Sequence, residues 1–398
     1  MLAEAYSAAV SPTTSPSSAP EEGQKDHHRK GGGFRNPWPS WKDPSPVKIA
    51  TSMLAQRIAT KKYWGPDTKN HTIEVRKPSL SAERVTNEFR ATWLGHACYY
   101  VEFPGGLRVL FDPVFSERCS PVQWMGPKRY TKAPCKIEEI PIIDAVCISH
   151  VHYDHLDYPT IMQIKKHHPN AHFFVPLNAK EWFTASGIDN CTEMEWWEEH
   201  DFVLEKKETD KGESAGNDDS TPQINGKFGL LPCQHQGGRH THDQGWALWG
   251  SWSIESGGKK LYFAGDTGYR AVPRESDGLD DYGEQFKDLP VCPAFKKIGA
   301  HRGPFDLGLI PIGAYNPRWY VKVYGSPFLP MHVDPRDAVN IFLEVKCKKA
   351  LGMHWGTFVL TEEPVMEPPQ KLREAMKAKG LPEEGVFDVV AIGEGRVF

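Results

Sequence analysis

Six residues constrain this chain more than any other stretch: His150-Val151-His152-Tyr153-Asp154-His155. Three imidazoles and a carboxylate in one hexapeptide are hard to place in a plain solvated turn. Nitrogen and oxygen donors of this kind are the ligands zinc takes. The preceding run, Ala145-Val146-Cys147-Ile148-Ser149, is apolar and β-branched and reads as a buried strand. The following Leu156-Asp157-Tyr158-Pro159 sets an acidic residue ahead of a proline, a helix start, with the helix expected over 159–168. The hexapeptide therefore sits on a strand-to-helix turn, where a rigid scaffold can hold chemistry. An extended turn sends His150 and His152 one way and Asp154 and His155 another, so one peptide can serve two adjacent ions.

Four later strands repeat the pattern. Phe228–Gln234 leads to His235, Leu261–Ala264 to Gly265-Asp266-Thr267-Gly268, Asp306–Ile312 to Gly313-Ala314-Tyr315, and Lys349–Met353 to His354. Three of those four ends carry a side chain able to bind a metal, which places ligands on one rim of a sheet. Earlier, Ala91–Leu94, Cys98–Phe103 and Leu107–Phe111 alternate with tight turns, Gly105-Gly106 among them, and give an antiparallel or mixed sheet. His96 between the first two carries no assignment alone. Asp334-Pro335 starts one late helix, and Leu372 and Met376 mark another, closed by Gly380. Strands mixed with helices in this order give two sheets between helical layers.

Composition bounds the rest. The 398 residues carry a net charge of -4, which argues against a general nucleic-acid binder. No apolar run reaches the roughly 18 residues a spanning helix needs, so membrane contact is expected to be peripheral. Eight cysteines without a C-x-x-C pair, and no apolar leader, point to reduced thiols in an intracellular, cytoplasmic setting. Ser7–Pro20 is too poor in apolar side chains to fold, so residues 1–33 are expected to form a disordered tail. Residues 1–28 lack arginine and contain Glu4, Glu21, Glu22 and Asp26, which speaks against a mitochondrial presequence. Residues 34–90, with Trp38 and Trp41 between prolines, are expected to pack on a domain spanning 91–398. Residues 116–139 read as a surface loop, and 206–226 as a mobile polar insertion.

The ordered motifs H-x-H-x-D-H, His, Gly-Asp-Thr-Gly and late His resemble the metallo-β-lactamase superfamily. Asn36-Pro37-Trp38-Pro39, Trp93-Leu94-Gly95-His96-Ala97, Ile312-Gly313-Ala314-Tyr315, Pro317-Arg318-Trp319, His332-Val333-Asp334-Pro335 and His354-Trp355-Gly356-Thr357 resemble, within it, the N-acylphosphatidylethanolamine-hydrolysing phospholipase D family. The resemblance implies an α/β protein with the αβ/βα sandwich fold and two zinc ions. His150, His152 and His235 would hold one ion, Asp154, His155 and His354 the other, and Asp266 would bridge them. It further implies a zinc phosphodiesterase on membranes, releasing N-acylethanolamine and phosphatidic acid. Asp154, Asp266 and His332 would be catalytic, and Tyr315, Arg318, Trp319 and His332 would meet the phospholipid.

The aromatic residues Tyr315, Trp319, Tyr320, Tyr324 and Phe328, with Leu329, lie around Arg318 and Lys322 and suit a bilayer headgroup region. The stretch Val321–Met331 is longer than the resemblance leads one to expect, and Met331 stands where glutamine is usual. Acyl and headgroup preference therefore stay open, as does a homodimer. A lactonase, a cyclic phosphodiesterase or a non-catalytic lipid-binding scaffold are the alternative readings.

Overall fold

The computed structural model describes residues 6–21, 25–41, 71–84, 86–206, 223–240, 242–318 and 331–398, with backbone alone for two short strands between. Two sheets pack face to face. The first holds β2 (Arg90–Gly95), β3 (Cys98–Glu102), β4 (Arg108–Phe111), β5 (Ala145–Cys147), β6 (His172–Pro176), β7 (Cys191–Met194) and β17 (Gly395–Val397), in the spatial order β17-β2-β3-β4-β5-β6-β7. The second holds β1 (Tyr6–Pro12), β8 (Glu199–Lys206), β9 (Ile224–Leu231), β10 (Ser251–Ser256), β11 (Lys259–Phe263), β12 (Phe305–Pro311), β15 (Cys347–Met353) and β16 (Phe387–Asp388), in the order β1-β8-β9-β10-β11-β12-β15-β16. A separate hairpin pairs β13 (Val321–Val323) with β14 (Ser326–Phe328).

The strand period of two decides which side chains meet. In β3, Tyr99 and Val101 point into the space between the sheets, while Cys98 and Tyr100 point outward. In β5, Ala145 and Cys147 point in and Val146 out; in β6, Phe174 points in and Phe173 and Val175 out. Both faces are apolar because both are covered, as parallel strands require. Between the sheets, Phe111 stacks on Phe263 at 4.7 Å and Phe174 on Phe228 at 4.2 Å. Each such buried phenylalanine contributes about 1.5–3 kcal/mol of transfer free energy.

Helices α1 (Tyr158–His167) and α2 (Lys180–Ala185) cover the outer face of the first sheet through Ile161, Ile164 and Phe183. Helices α3 (Ala294–His301), α4 (Pro335–Glu344) and α5 (Glu367–Ala378) cover the second through Phe295, Ile298, Ala338, Phe342, Leu372 and Met376. This is the αβ/βα sandwich. The expected starts hold: α1 begins one residue ahead of Pro159, and in α4 Asp334 Oδ1 accepts from the Asp337 amide at 2.9 Å.

Three expectations need correction or restriction. The N-terminal segment is not a disordered tail throughout: Tyr6–Pro12 runs antiparallel to β8, Tyr6 opposite Lys206. An edge strand needs backbone partners more than apolar side chains, and β8 supplies them. The Thr13 hydroxyl donates to Asp201 at 2.9 Å, and Glu199 accepts from the Ser17 amide. The polar insertion is narrower than 206–226, because Lys206 ends β8 and Ile224–Gly226 open β9; residues 207–222 lie outside the described residues. Of the 34–90 extension, 42–70 lie outside them too, while Phe34 and Ile73 are buried against the core and Trp38 stacks on Trp196.

Candidate metal centre

Strand direction explains why side chains far apart in sequence share one rim. β4 and β5 are parallel, so Asp112 and the His150–His155 turn leave the first sheet at the same edge. β11, β12 and β15 are parallel, and β9 runs their way with antiparallel β10 between, so His235, Asp266 and His354 leave the second sheet at its matching edge. Ligands bind beyond the carboxyl ends of strands for this reason. The rims touch at Gly265: φ is +60° there, and an added Cβ would lie 2.6 Å from Ser149 Cβ. Backbone φ is positive at Asp112, His96, His354 and Ala314 too, an uncommon state for such residues that gathers at functional sites.

The structure brings all seven sequence-predicted ligand residues together. His150 Nε2 lies 2.9 Å from His152 Nδ1 and 3.1 Å from His235 Nε2, and His235 Nε2 lies 3.3 Å from His152 Nδ1. In a second nest, His155 Nε2 and His354 Nε2 are 3.3 Å apart, each 3.6 Å from Asp154 Oδ2. Asp266 stands between the nests. Its Oδ2 is 3.0 Å from His155 Nε2 and 3.9 Å from His150 Nε2 and His235 Nε2; its Oδ1 is 3.1 Å from His354 Nε2. All but His152 are buried to 5% exposure or less. His332 joins them, with Nδ1 3.7 Å from Asp266 Oδ2.

This donor set fits divalent cations. Imidazole nitrogens face each other across about 3 Å, where two lone pairs or two N–H groups would repel and a cation between them would not. Asp266 Oδ1 is buried and accepts no hydrogen bond, a cost of about 1–3 kcal/mol without a partner. Burial, helped by neighbouring imidazoles, pushes His150 well below the usual range, and burial does the same to His235, keeping both neutral as ligands must be. Burial alone would raise Asp266, but His155 and His354 beside it outweigh burial and hold the carboxylate ionised.

Residues behind the ligands fix their orientation. Asp112 Oδ2 accepts from His155 Nδ1 at 2.7 Å and from the Ser149 hydroxyl at 2.5 Å; Asp112 Oδ1 accepts from the Ser149 amide at 2.7 Å. His150 Nδ1 in turn lies 2.9 Å from Ser149 Oγ. The Met331 carbonyl lies 3.1 Å from His235 Nδ1. With Nδ1 protonated and paired, His150 and His235 present a bare Nε2 to the centre, whereas Asp266, Asp154 and Asp112 outweigh burial and raise the pKa of His155, which would give up its Nε2 proton to a bound ion. His96 Nε2 lies 3.0 Å from Asp154 Oδ2, and burial lowers its pKa to about 3. Sequence reasoning assigned no role to Asp112 or His96. Asp112 carries the signal used elsewhere, an acidic residue just past an apolar strand.

The other sequence-predicted site residues fall differently. The buried Tyr315 hydroxyl donates to Glu367 Oε1 at 2.7 Å. Arg318 spends its guanidinium on carboxylates, at 2.8 Å from Asp281, 2.7 Å from Asp337 and 3.5 Å from Asp334. A charge this enclosed is stable only when paired. Trp319, Tyr320, Tyr324 and Leu329 lie outside the described residues, as do the side chains of Lys322 and Phe328.

Comparison with known proteins adds a family. The family model described as "Beta-lactamase superfamily domain" matches residues 107–355. The chain is 36% identical over 313 residues to N-acyl-phosphatidylethanolamine-hydrolyzing phospholipase D 1 of Caenorhabditis elegans, covering 76% of this chain and 74% of that one. It is 33% identical over 283 residues to the protein of Saccharomyces cerevisiae named N-acyl-phosphatidylethanolamine-hydrolyzing phospholipase D, mitochondrial, covering 71% of this chain and 50% of the yeast one. Among solved structures, Igni18, a metallo hydrolase of the archaeon Ignicoccus hospitalis, is similar with a TM-score of 0.48 and 20% identity over 78% of this chain and 98% of that one.

Proposed function

This chain belongs to the metallo-β-lactamase superfamily and is a metal-dependent hydrolase; from that premise we propose that it is a phospholipase D type phosphodiesterase, cleaving N-acylphosphatidylethanolamine to N-acylethanolamine and phosphatidic acid. The single observation carrying this reading is Asp266 standing between two nests of imidazoles, 3.0–3.1 Å from His155 and His354 of one and 3.9 Å from His150 and His235 of the other. The named activity of the worm and yeast relatives supports the substrate class.

His150, His152 and His235 would hold one zinc ion, Asp154, His155 and His354 a second, and Asp266 both. Such an ion pair, when bound, supplies Lewis acidity and water of lowered pKa, which suits displacement at a phosphodiester without a covalent enzyme intermediate. The chain's own residues do the rest. Asp112 and Ser149 hold the imidazole rings so that no reorganisation is needed. His332, which burial lowers to about 4, is neutral at physiological pH and positioned to hydrogen-bond a phosphoryl oxygen of the substrate. The substrate is an amphiphile, so peripheral contact with a bilayer belongs to the same proposal, with the Trp319–Phe328 segment as its edge. No helix among the described residues is long and apolar enough to cross a membrane.

The test is hydrolysis of N-acylphosphatidylethanolamine vesicles in heavy-oxygen water, with product identification. We expect one label in phosphatidic acid, and a rate loss of roughly 100-fold or more in Asp266→Asn. Label confined to the ethanolamide, or release of no phosphatidic acid, overturns the proposal. Unchanged vesicle binding after Trp319→Ala and Phe328→Ala together overturns its membrane part.

A further inference from the structure

Away from the rim, the described residues hold one more complete group of metal-competent side chains: His27, His28 and Glu195. His27 Nε2 lies 2.8 Å from Glu195 Oε1 and His28 Nε2 lies 2.6 Å from Glu195 Oε2. The three donor atoms lie within 4.8 Å of one another. The carboxylate arrives from the far side of the sequence, 168 and 167 residues away, so local chain geometry alone does not bring the three together.

The group is built in. His27 is fully buried, its ring stacked on Trp196 with centroids 4.0 Å apart. The Glu195 side chain is 12% exposed and sits directly after β7, its own amide donating to Glu198 Oε2 at 2.9 Å. The turn that presents the imidazoles is closed by the His28 amide on the Lys25 carbonyl and the Arg29 amide on the Gly33 carbonyl, both at 3.0 Å. It needs a glycine at Gly33, where φ is +72° and an added Cβ would meet the Gly245 carbonyl oxygen at 2.5 Å. The His28 side chain is 37% exposed, so one side of the group opens to solvent.

We propose that His27, His28 and Glu195 bind a divalent transition-metal ion, zinc being the natural candidate, separate from the ions at the rim. Two imidazole nitrogens and one carboxylate oxygen are a borderline donor set of the kind zinc takes, with the fourth position left to water on the exposed side. The ion is a staple. It ties the segment of residues 25–41 to the end of β7, and that segment continues to the catalytic rim. There the Asn36 side-chain amide donates to the His235 carbonyl at 2.6 Å, and the Ser40 hydroxyl donates to Gln234. Filling the staple holds in place the strap that braces a catalytic ligand from behind. Free energy of binding at such a site is free energy of folding for the strap.

The experiment uses the full chain, loaded with excess Zn2+ and then dialysed, with zinc per chain measured by elemental mass spectrometry. Wild type is expected to carry one ion more than His28→Ala, chosen because its partly exposed side chain leaves no cavity, and one more than Glu195→Gln. In parallel, added Zn2+ should slow tryptic cleavage after Arg29 and Lys30 severalfold in the wild type and leave His28→Ala unprotected. Equal zinc counts in all three proteins, or wild-type cleavage that Zn2+ does not slow, overturns the staple, whatever the catalytic activity proves to be.

Discussion

Asp112 does for two ligands what no ligand does for itself. One carboxylate orients His155 directly and His150 through Ser149. Asp112→Asn keeps the shape but replaces an anionic acceptor, and zinc affinity is expected to fall about 10–100-fold, read by competitive titration with a chromophoric chelator. A second outcome at this scale concerns the thiols. All eight cysteines are free and buried. Burial pushes every one upward, Cys135 and Cys191 to about 12. The thiolate is the reactive form, so at pH 8 an aromatic disulfide reagent should react with the native chain slowly and with the urea-unfolded chain at once. Residue identity made the gathered cluster legible, because three histidines and an aspartate in six positions have few other uses. Asp112 and His96 were not legible, since an aspartate before proline or a histidine between strands serves ordinary turns equally well.

Among the elements, the loop leading from β12 to α4 shows how a side chain suited to substrate can be committed to structure. Arg318 was a natural phosphate partner by sequence, yet its guanidinium joins that loop to the start of α4 through Asp334 and Asp337, and to Asp281. Burial would lower its pKa, but those three aspartates outweigh burial and raise it. Arg318→Leu leaves the carboxylates unpaired and is expected to cost about 3–5 kcal/mol in urea unfolding. Arg318→Lys should recover part of that and leave KM unchanged; a raised KM with an unchanged midpoint would instead mark a substrate contact. Strand β1 teaches a related lesson. Its composition predicts disorder because burial is the usual currency of folding, but the open edge of β8 offers a ladder of backbone partners that composition does not register.

For the molecule as a whole, alternation within strands and the helix starts at Asp157 and Asp334 were enough to derive two sheets between helical layers. The pairing order was not, because it depends on which distant strands meet, as β17 with β2 and β12 with β15. Seven candidate ligand side chains, six of them buried, converge where the two sheets meet, so bound ions would cross-link halves of the fold. Chelator treatment should abolish hydrolysis and lower the unfolding midpoint together, and added Zn2+ should restore both. Each rim site would contribute about 2.7 kcal/mol at free ion 100 times its dissociation constant.

The closing of β17 on β2 has a consequence for biosynthesis. A ribosome makes the His150–His155 turn long before it makes His354, and β17, which covers the β2 edge, follows His354. Half a binding site thus waits, exposed, for the other half to be translated. Affinity for metal at the rim would be acquired only once His354 has been made, and nascent chains truncated before His354 should lack it.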